Sequence, residues 1–243
     1  MPNPTAAILI VGDEILSGRT QDTNSHFLAG ELARAGIDLR EIRVVPDRHA
    51  AIVAAVNALR AAYDHVFTSG GIGPTHDDIT ADAVADAFGV PLAVRADAHA
   101  ILAAHYAAAG QEFNAARQRM ARIPPGATLI DNPVSAAPGF SLGNVHVMAG
   151  VPSVFRAMVA AVLPGLPAGR PVLSRSLRVD RGEGVIAAPL AALAADYADL
   201  SFGSYPFQRD GAHGTNLVVR GTDAARVDEA YARMEALFGP AAA

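Results

Sequence analysis

Carboxylates punctuate the first third of this chain at three places, each behind an apolar run. Asp13 and Glu14 follow Gly12, Asp47 follows Pro46, and Asp77 and Asp78 close the segment Ser69-Gly70-Gly71-Ile72-Gly73-Pro74-Thr75-His76. Carboxylates that converge repel one another, and a cation or a hydrogen-bonded ligand offsets that repulsion. A glycine-rich turn beside them offers backbone amides to an anion. The chemistry that suits this set is divalent-metal-assisted attack on a phosphate or diphosphate, the metal neutralising charge on the phosphoryl oxygens. The ligand expected is a phosphorylated small molecule, a nucleotide. Asp13, Glu14 and Asp78 are candidate metal ligands. Asp47 or Asp77 would orient the attacking water, and the amides of Gly70, Gly71 and Gly73 would cradle phosphate.

Each segment also has a plainer reading. Glycines recur where a turn needs positive φ, and one of Asp77 and Asp78, or Asp47 alone, reads as a helix N-cap. Asn132-Pro133 and Ala137-Pro138-Gly139 are turn signals first and a ligand-facing loop second. The histidines show no His-Glu-x-x-His spacing. His76 lies in the glycine loop within reach of a ligand, whereas His26, His49, His65, His99 and His105 read as surface or partly buried helix residues. Neither Ser17 nor Ser69 sits in a nucleophile-elbow pattern.

The elements that would position these groups follow from periodicity. Residues 6–11, 37–45 and 65–68 are apolar runs of strand length, and helices are expected at 24–35, from 47, and at 80–88. The β-α-β-α-β-α order predicts a parallel sheet covered on both faces, whose ligand site lies at the carboxyl ends of the strands. Asn24 or Thr23 would cap the first helix. Further on, helices at 96–109 and 114–122, a strand at 128–130, a hairpin at 139–148 and a helix ending near 163 are expected. Prolines and glycines cluster at 164–171 and mark a boundary. Beyond it a strand at 172–179, a helix at 185–195, short strands at 200–202 and 217–220, and a helix at 223–238 make a small α+β module. The expected domains are therefore residues 1–166 and 172–243.

Composition narrows the class. Of 243 residues 51% are hydrophobic, enough for a sizeable core, and the net charge of −5 argues against a broad nucleic-acid surface. There is no cysteine, which excludes disulfides and thiolate chemistry. No apolar stretch reaches the ~20 residues of a membrane span, and the N-terminus lacks a basic signal-peptide region. A cytoplasmic protein without membrane or nucleic-acid partners is expected.

At these residues the chain resembles the MoaB/Mog-like family of molybdopterin-binding domains, in the branch found at the N-terminus of competence/damage-inducible protein A (CinA). The matching pieces are Gly12-Asp13-Glu14-Ile15-Leu16-Ser17-Gly18, Asp22-Thr23-Asn24-Ser25, Val45-Pro46-Asp47 and the long segment from Gly70 to Thr80. Asn132-Pro133, Ala137-Pro138-Gly139-Phe140 and Gly150-Val151-Pro152 continue the match, and Gly203-Ser204-Tyr205-Pro206 resembles a piece of the branch's second domain. The resemblance implies a three-layer α/β/α domain with a mostly parallel sheet, followed by a smaller α+β domain, and a homo-oligomeric assembly. It implies catalytic roles for Asp47 and Asp78. Ligand contacts would come from Gly12 and Asp13, from Ser69, Gly70, Gly71 and Gly73, from Pro74, Thr75 and Asp77, and from Asn132, Pro133, Pro138 and Gly139. The implied activity is hydrolysis of ADP-ribose or FAD diphosphates with a divalent metal, Mg²⁺ or Co²⁺, and K⁺ as a further ion. Molybdopterin adenylyl transfer in molybdenum cofactor biosynthesis, or a non-catalytic nucleotide-binding module, are the alternatives. Full-length CinA also carries a nicotinamide-nucleotide amidase domain, which these residues do not match, so deamidation is not expected. The chain departs from the branch in Asn132-Pro133-Val134-Ser135-Ala136-Ala137, where a glycine is usual after Asn-Pro-x.

Overall fold

The structure, a computed structural model, describes residues 2–209 and 212–239. Met1, residues 210–211 and residues 240–243, which fall within the expected domains, lie outside the described residues. Two compact units divide the chain between Gly169 and Arg170.

The first unit runs β1 (Thr5–Val11), α1 (Asp13–Leu16), α2 (Asn24–Ala35), β2 (Asp38–Val45), α3 (His49–Ala62), β3 (His65–Ser69) and α4 (Thr80–Phe88). It continues with β4 (Ala93–Val94), α5 (Ala96–Ala108), α6 (Ala115–Gln118), β5 (Arg122–Ile123), β6 (Thr128–Ile130), β7 (Gly139–Leu142), β8 (Val145–Met148) and α7 (Pro152–Val162). Six strands form one sheet in the order β2-β1-β3-β8-β7-β6. Pairing is parallel from β2 through β8 and antiparallel from β8 to β6.

Strand β1 explains the layering. Successive side chains of a strand point to opposite faces, and the apolar run supplies both. Ala7, Leu9 and Val11 join Ile52, Val56 and Leu59 of α3 and Val84 of α4 in one core. Ala6, Ile8 and Ile10 join Leu28 and Leu32 of α2 and Phe155 and Met158 of α7 in the other. The three-layer α/β/α arrangement with a mostly parallel sheet is thus present. Among the described residues no helix is long and apolar enough to cross a membrane.

Four local expectations are corrected. Residues 114–122 are not one helix: α6 is a single turn capped by the Asn114 side chain, which accepts from Arg117 N at 3.0 Å. A 3-10 turn (Arg119–Ala121) follows, and β5 then pairs antiparallel with β4. Pro124 disfavours a helical conformation at Ile123, and Arg122 is held by a bidentate pair to Asp82 at 2.8 Å. Helix α2 is not capped by Asn24 or Thr23; Asp22 accepts from the amides of Asn24 and Ser25 at 2.9 and 3.1 Å. Helix α3 begins at His49 with no side-chain cap, so Asp47 is not its N-cap. His65 is buried at the start of β3 rather than on a helix.

The second unit contains β9 (Leu173–Val179), α8 (Glu183–Ala195), β10 (Ser201–Arg209), β11 (Ala212–Gly221) and α9 (Ala224–Phe238). Its antiparallel sheet has the order β10-β11-β9. Leu177, Val179, Leu217 and Val219 face Ile186 and Leu193 of α8 and Val227 and Met234 of α9. Strands β10 and β11 are much longer than expected, because Gly203, Pro206 and Gly214 interrupt their pattern. Pro206 is accommodated because β10 is an edge strand.

Candidate functional site

The carboxyl ends of β1, β2, β3 and β8 open into one cleft of about 540 Å³. Its charged walls are Glu14, Asp47, Asp77 and Asp78, each leaving a different strand end or the glycine turn. Gly70, Gly71, Gly73 and Pro74 line it beside them, and Asn132 borders it.

The glycine turn has steric causes. Gly70 has φ +105°, and a Cβ there would lie 2.3 Å from the carbonyl oxygen of Val11, so β1 and β3 could not end side by side. Gly71 has φ +70°, and its Cβ would lie 2.1 Å from Thr80 Oγ1 at the start of α4. Thr80 N in turn donates to the Gly71 carbonyl at 2.9 Å. Gly73 leaves space for Asp78, whose Oδ2 would stand 2.6 Å from an added Cβ.

Asp78 does not cap α4. Its Oδ2 accepts from Thr75 N at 2.8 Å and from Thr75 Oγ1 at 2.5 Å, which holds the carboxylate against the turn. Thr75 therefore positions Asp78 and is itself absent from the cleft lining. The nearby Thr75 hydroxyl also holds the Asp77 carboxyl below its usual range. His76 is almost fully exposed and only loosely beside Asp77 at 4.0 Å.

Asp47 reaches across from β2 to α1, accepting from the amide of Asp13 at 2.8 Å through Oδ2. Burial pushes its carboxyl up, the Asp13 amide opposes this, and the charges of Glu14, Asp13 and Asp77 add to the rise. One oxygen is thus committed to α1, leaving Oδ1 for a ligand or water.

Asp13 itself is a correction. Its side chain does not line the cleft, while Glu14 does. Residues 13–16 form a helical turn, in which neighbours i and i+1 face different ways. Asp13 thus stays outside the lining that Glu14 and Asp78 share, although its charge still acts on Asp47. Gly12 also stays out of the lining; it leaves room for the Glu14 carboxylate, which would stand 2.5 Å from an added Cβ. Among the described residues no three His, Cys, Asp or Glu side chains form a ready-made metal cage. The donors present still fit a hard cation. Mg²⁺ typically takes one or two carboxylates and completes its shell with water and phosphate oxygens.

The loop after β6 is mainly self-organising. Asn132 donates to Ser135 Oγ and the Ala137 carbonyl at 2.7 and 2.8 Å, and accepts from the amides of Val134 and Ser135. Its amide group is fully used in shaping the loop. Ala136 has φ +60°, the one positive φ outside glycine among the described residues. Pro133 and Gly139 do not line the cleft, and Pro138 lines a neighbouring recess. Gly139 is a packing residue, since a Cβ would lie 2.4 Å from the Val147 carbonyl. Ser69 is buried and bonded to Asn24 Nδ2 at 2.9 Å, facing a smaller cavity of about 70 Å³.

Sequence reasoning missed the apolar walls, Ile72, Met120, Val151 and Val154. It also missed Asn24 as a tie between β3 and the segment after β8: Nδ2 donates to both Ser69 Oγ and the Gly150 carbonyl. Its position after Asp22-Thr23 suggested only a cap. Arg119, whose Nη2 donates to the Asp78 carbonyl at 3.4 Å, carried no signal because residues 114–122 read as a plain helix.

Comparison with known proteins agrees with this fold. Residues 7–168 match the family described as "Probable molybdopterin binding domain", and residues 171–243 match "FAD synthase, middle domain". A protein of Pyrobaculum calidifontis is 39% identical over 193 residues, covering 77% of this chain and 74% of that one. The "CinA-like protein" of Sulfurihydrogenibium sp. is 38% identical over 67% of this chain and 38% of its own. The "Probable FAD synthase" of Caenorhabditis elegans is 32% identical over 88% of this chain and 46% of its own. The matches thus span less than half the length of the latter two relatives. The crystal structure of CinA from Thermoplasma acidophilum superposes with a TM-score of 0.62 at 35% identity, covering 68% of this chain and 99% of that one. The chain belongs to the MoaB/Mog-like molybdopterin-binding domain family, in its CinA type.

Proposed function

We propose that the cleft binds a nucleotide diphosphate compound and hydrolyses its diphosphate, with ADP-ribose or FAD as the substrate type. The observation that carries this reading is the meeting of four carboxylates with a glycine turn in one largely apolar cleft. Ile72, Met120 and Val151 offer a surface to a planar ring, and the amides around Gly70–Gly73 suit phosphate oxygens. Glu14 and Asp78 would hold a divalent cation, Mg²⁺ or Co²⁺, which supplies charge neutralisation to the phosphoryl oxygens. Asp47 Oδ1, free of the Asp13 contact, orients the attacking water, and Asp77 flanks it. Thr75 fixes the Asp78 carboxylate at the turn.

The molybdopterin-binding description of the matched family favours a second reading, adenylyl transfer to a pterin in the same cleft. One experiment separates these and a purely binding role. The purified chain is incubated with ADP-ribose, FAD, or ATP plus pterin, each with Mg²⁺, Co²⁺, added K⁺ or EDTA, and products are resolved by chromatography. AMP release from ADP-ribose or FAD that EDTA abolishes is the expected result. Tight binding without any product would sink the hydrolase reading.

A further inference from the structure

We infer that Arg119 forms a second anionic subsite beside the glycine turn, so that the site selects diphosphates over monophosphates. The inference rests on the phosphate-binding reading of the cleft and specifies it. Every charged residue lining the cleft is acidic. One divalent ion leaves four carboxylates and a diphosphate with an excess of negative charge, which a protein cation in contact with the ligand would lower. Arg119 is placed to be that cation. Ile72, Gly73, Asp78 and Met120 line both the cleft and a small recess in which Arg119 lies. The recess thus adjoins the phosphate turn.

The guanidinium is also uncommitted. Its one hydrogen bond is the 3.4 Å contact to the Asp78 carbonyl, and its Nε is buried with no partner. Among the described residues Arg119 makes no ion pair. Arg122 in the same recess differs: its Nε is likewise unpartnered, but both its terminal nitrogens are spent on Asp82 at 2.8 Å. Leaving the buried Nε unmet is costly, and a phosphate, whose oxygens match the planar fork, would engage the guanidinium. One phosphate would sit on the turn amides and the second in the cleft at the mouth of the recess, toward Arg119, since the recess itself has room for no more than about one water. The 3-10 turn at 119–121 joins the two functions, presenting Arg119 to the recess and Met120 to the cleft.

The test uses the full chain with Mg²⁺ and two probes, AMP and the non-hydrolysable α,β-methylene-ADP, titrated by calorimetry. The parent should prefer the diphosphate analogue. Arg119→Met should weaken α,β-methylene-ADP by about 10- to 100-fold, the range for a charged hydrogen bond, and AMP by no more than about threefold. Arg119→Lys should recover part of the loss, since it keeps the charge without the fork. The ratio between probes is read within each protein, so a change in folded fraction does not imitate it. A parent that binds both probes and an Arg119→Met protein with the same ratio would overturn the subsite alone. A parent that binds neither probe would overturn the phosphate-site reading and the subsite with it.

Discussion

Replacing His146 with leucine should flatten the acid side of this protein's stability curve. His146 lies in β8 and is nearly inaccessible to solvent. Its Nδ1 is 2.9 Å from Ser141 Oγ, its Nε2 is 3.5 Å from His65 Nδ1, and its ring stands 5.0 Å from that of Phe67. Burial pushes its pKa down to about 4, and the neighbouring His65 adds to the fall. Burial also lowers His65, with Asp64 partly opposing. A histidine whose folded pKa lies below its unfolded value of about 6.5 binds fewer protons when folded. Stability is therefore full above pH 6.5, declines as pH falls toward 4, and loses no more from this group below that. The displacement corresponds to about 3 kcal/mol in all, at 1.36 kcal/mol per pH unit, and about 2 kcal/mol of it falls between pH 7.5 and 5. Urea unfolding followed by circular dichroism at pH 7.5, 6 and 5 measures this directly. The His146→Leu protein should start lower at pH 7.5, because the Ser141 hydroxyl loses its partner, yet decline less by about 2 kcal/mol over the same interval. Equal declines in the two proteins would refute the reasoning, as would an imidazole resonance of His146 titrating near 6.5 in the folded state.

Asp78→Ala should nearly abolish diphosphate hydrolysis under the proposed function, while the loss of its bonds to Thr75 costs only about 1–2 kcal/mol of stability. Undiminished AMP release by a folded variant would show that Asp78 is not part of the chemistry. Ala136→Gly should stabilise the chain by about 1 kcal/mol, because a left-handed conformation is costly for a residue with a Cβ; a lowered denaturation midpoint would contradict the strain at φ +60°. A fragment ending at Gly169 should fold and retain α,β-methylene-ADP binding, since both cores around the main sheet lie within it. Loss of binding in a folded fragment would assign part of the site to the second unit.

Much of the first unit was legible because its signals are local. The runs that became β1 and β3, and the helix 80–88, need nothing but apolar periodicity and a following glycine. Asp47, Glu14 and the glycine turn could be grouped because strand ends in a parallel sheet converge. The rest depended on contacts between distant residues. Arg122 leaves the helical pattern to meet Asp82, and this carries Arg119 to the turn at Gly73–Asp78. Asp13 looked equivalent to Glu14 until a single helical turn separated them. In the second unit Pro206 and the two glycines hid strands that only cross-strand pairing reveals.

The close approach of strand ends at Gly70 has a consequence for how such a site can change over evolutionary time. Gly70 abuts the Val11 carbonyl, and an added Cβ on Gly150 would come within 3.2 Å of the Gly70 Cα. The floor of the cleft is therefore peptide backbone, and point substitutions there have almost no room to act. New ligand preferences can arise only from the walls, at Met120, Val151 and the loop after β6. A lineage can thus exchange one ring system for another while the phosphate-facing floor stays as it is.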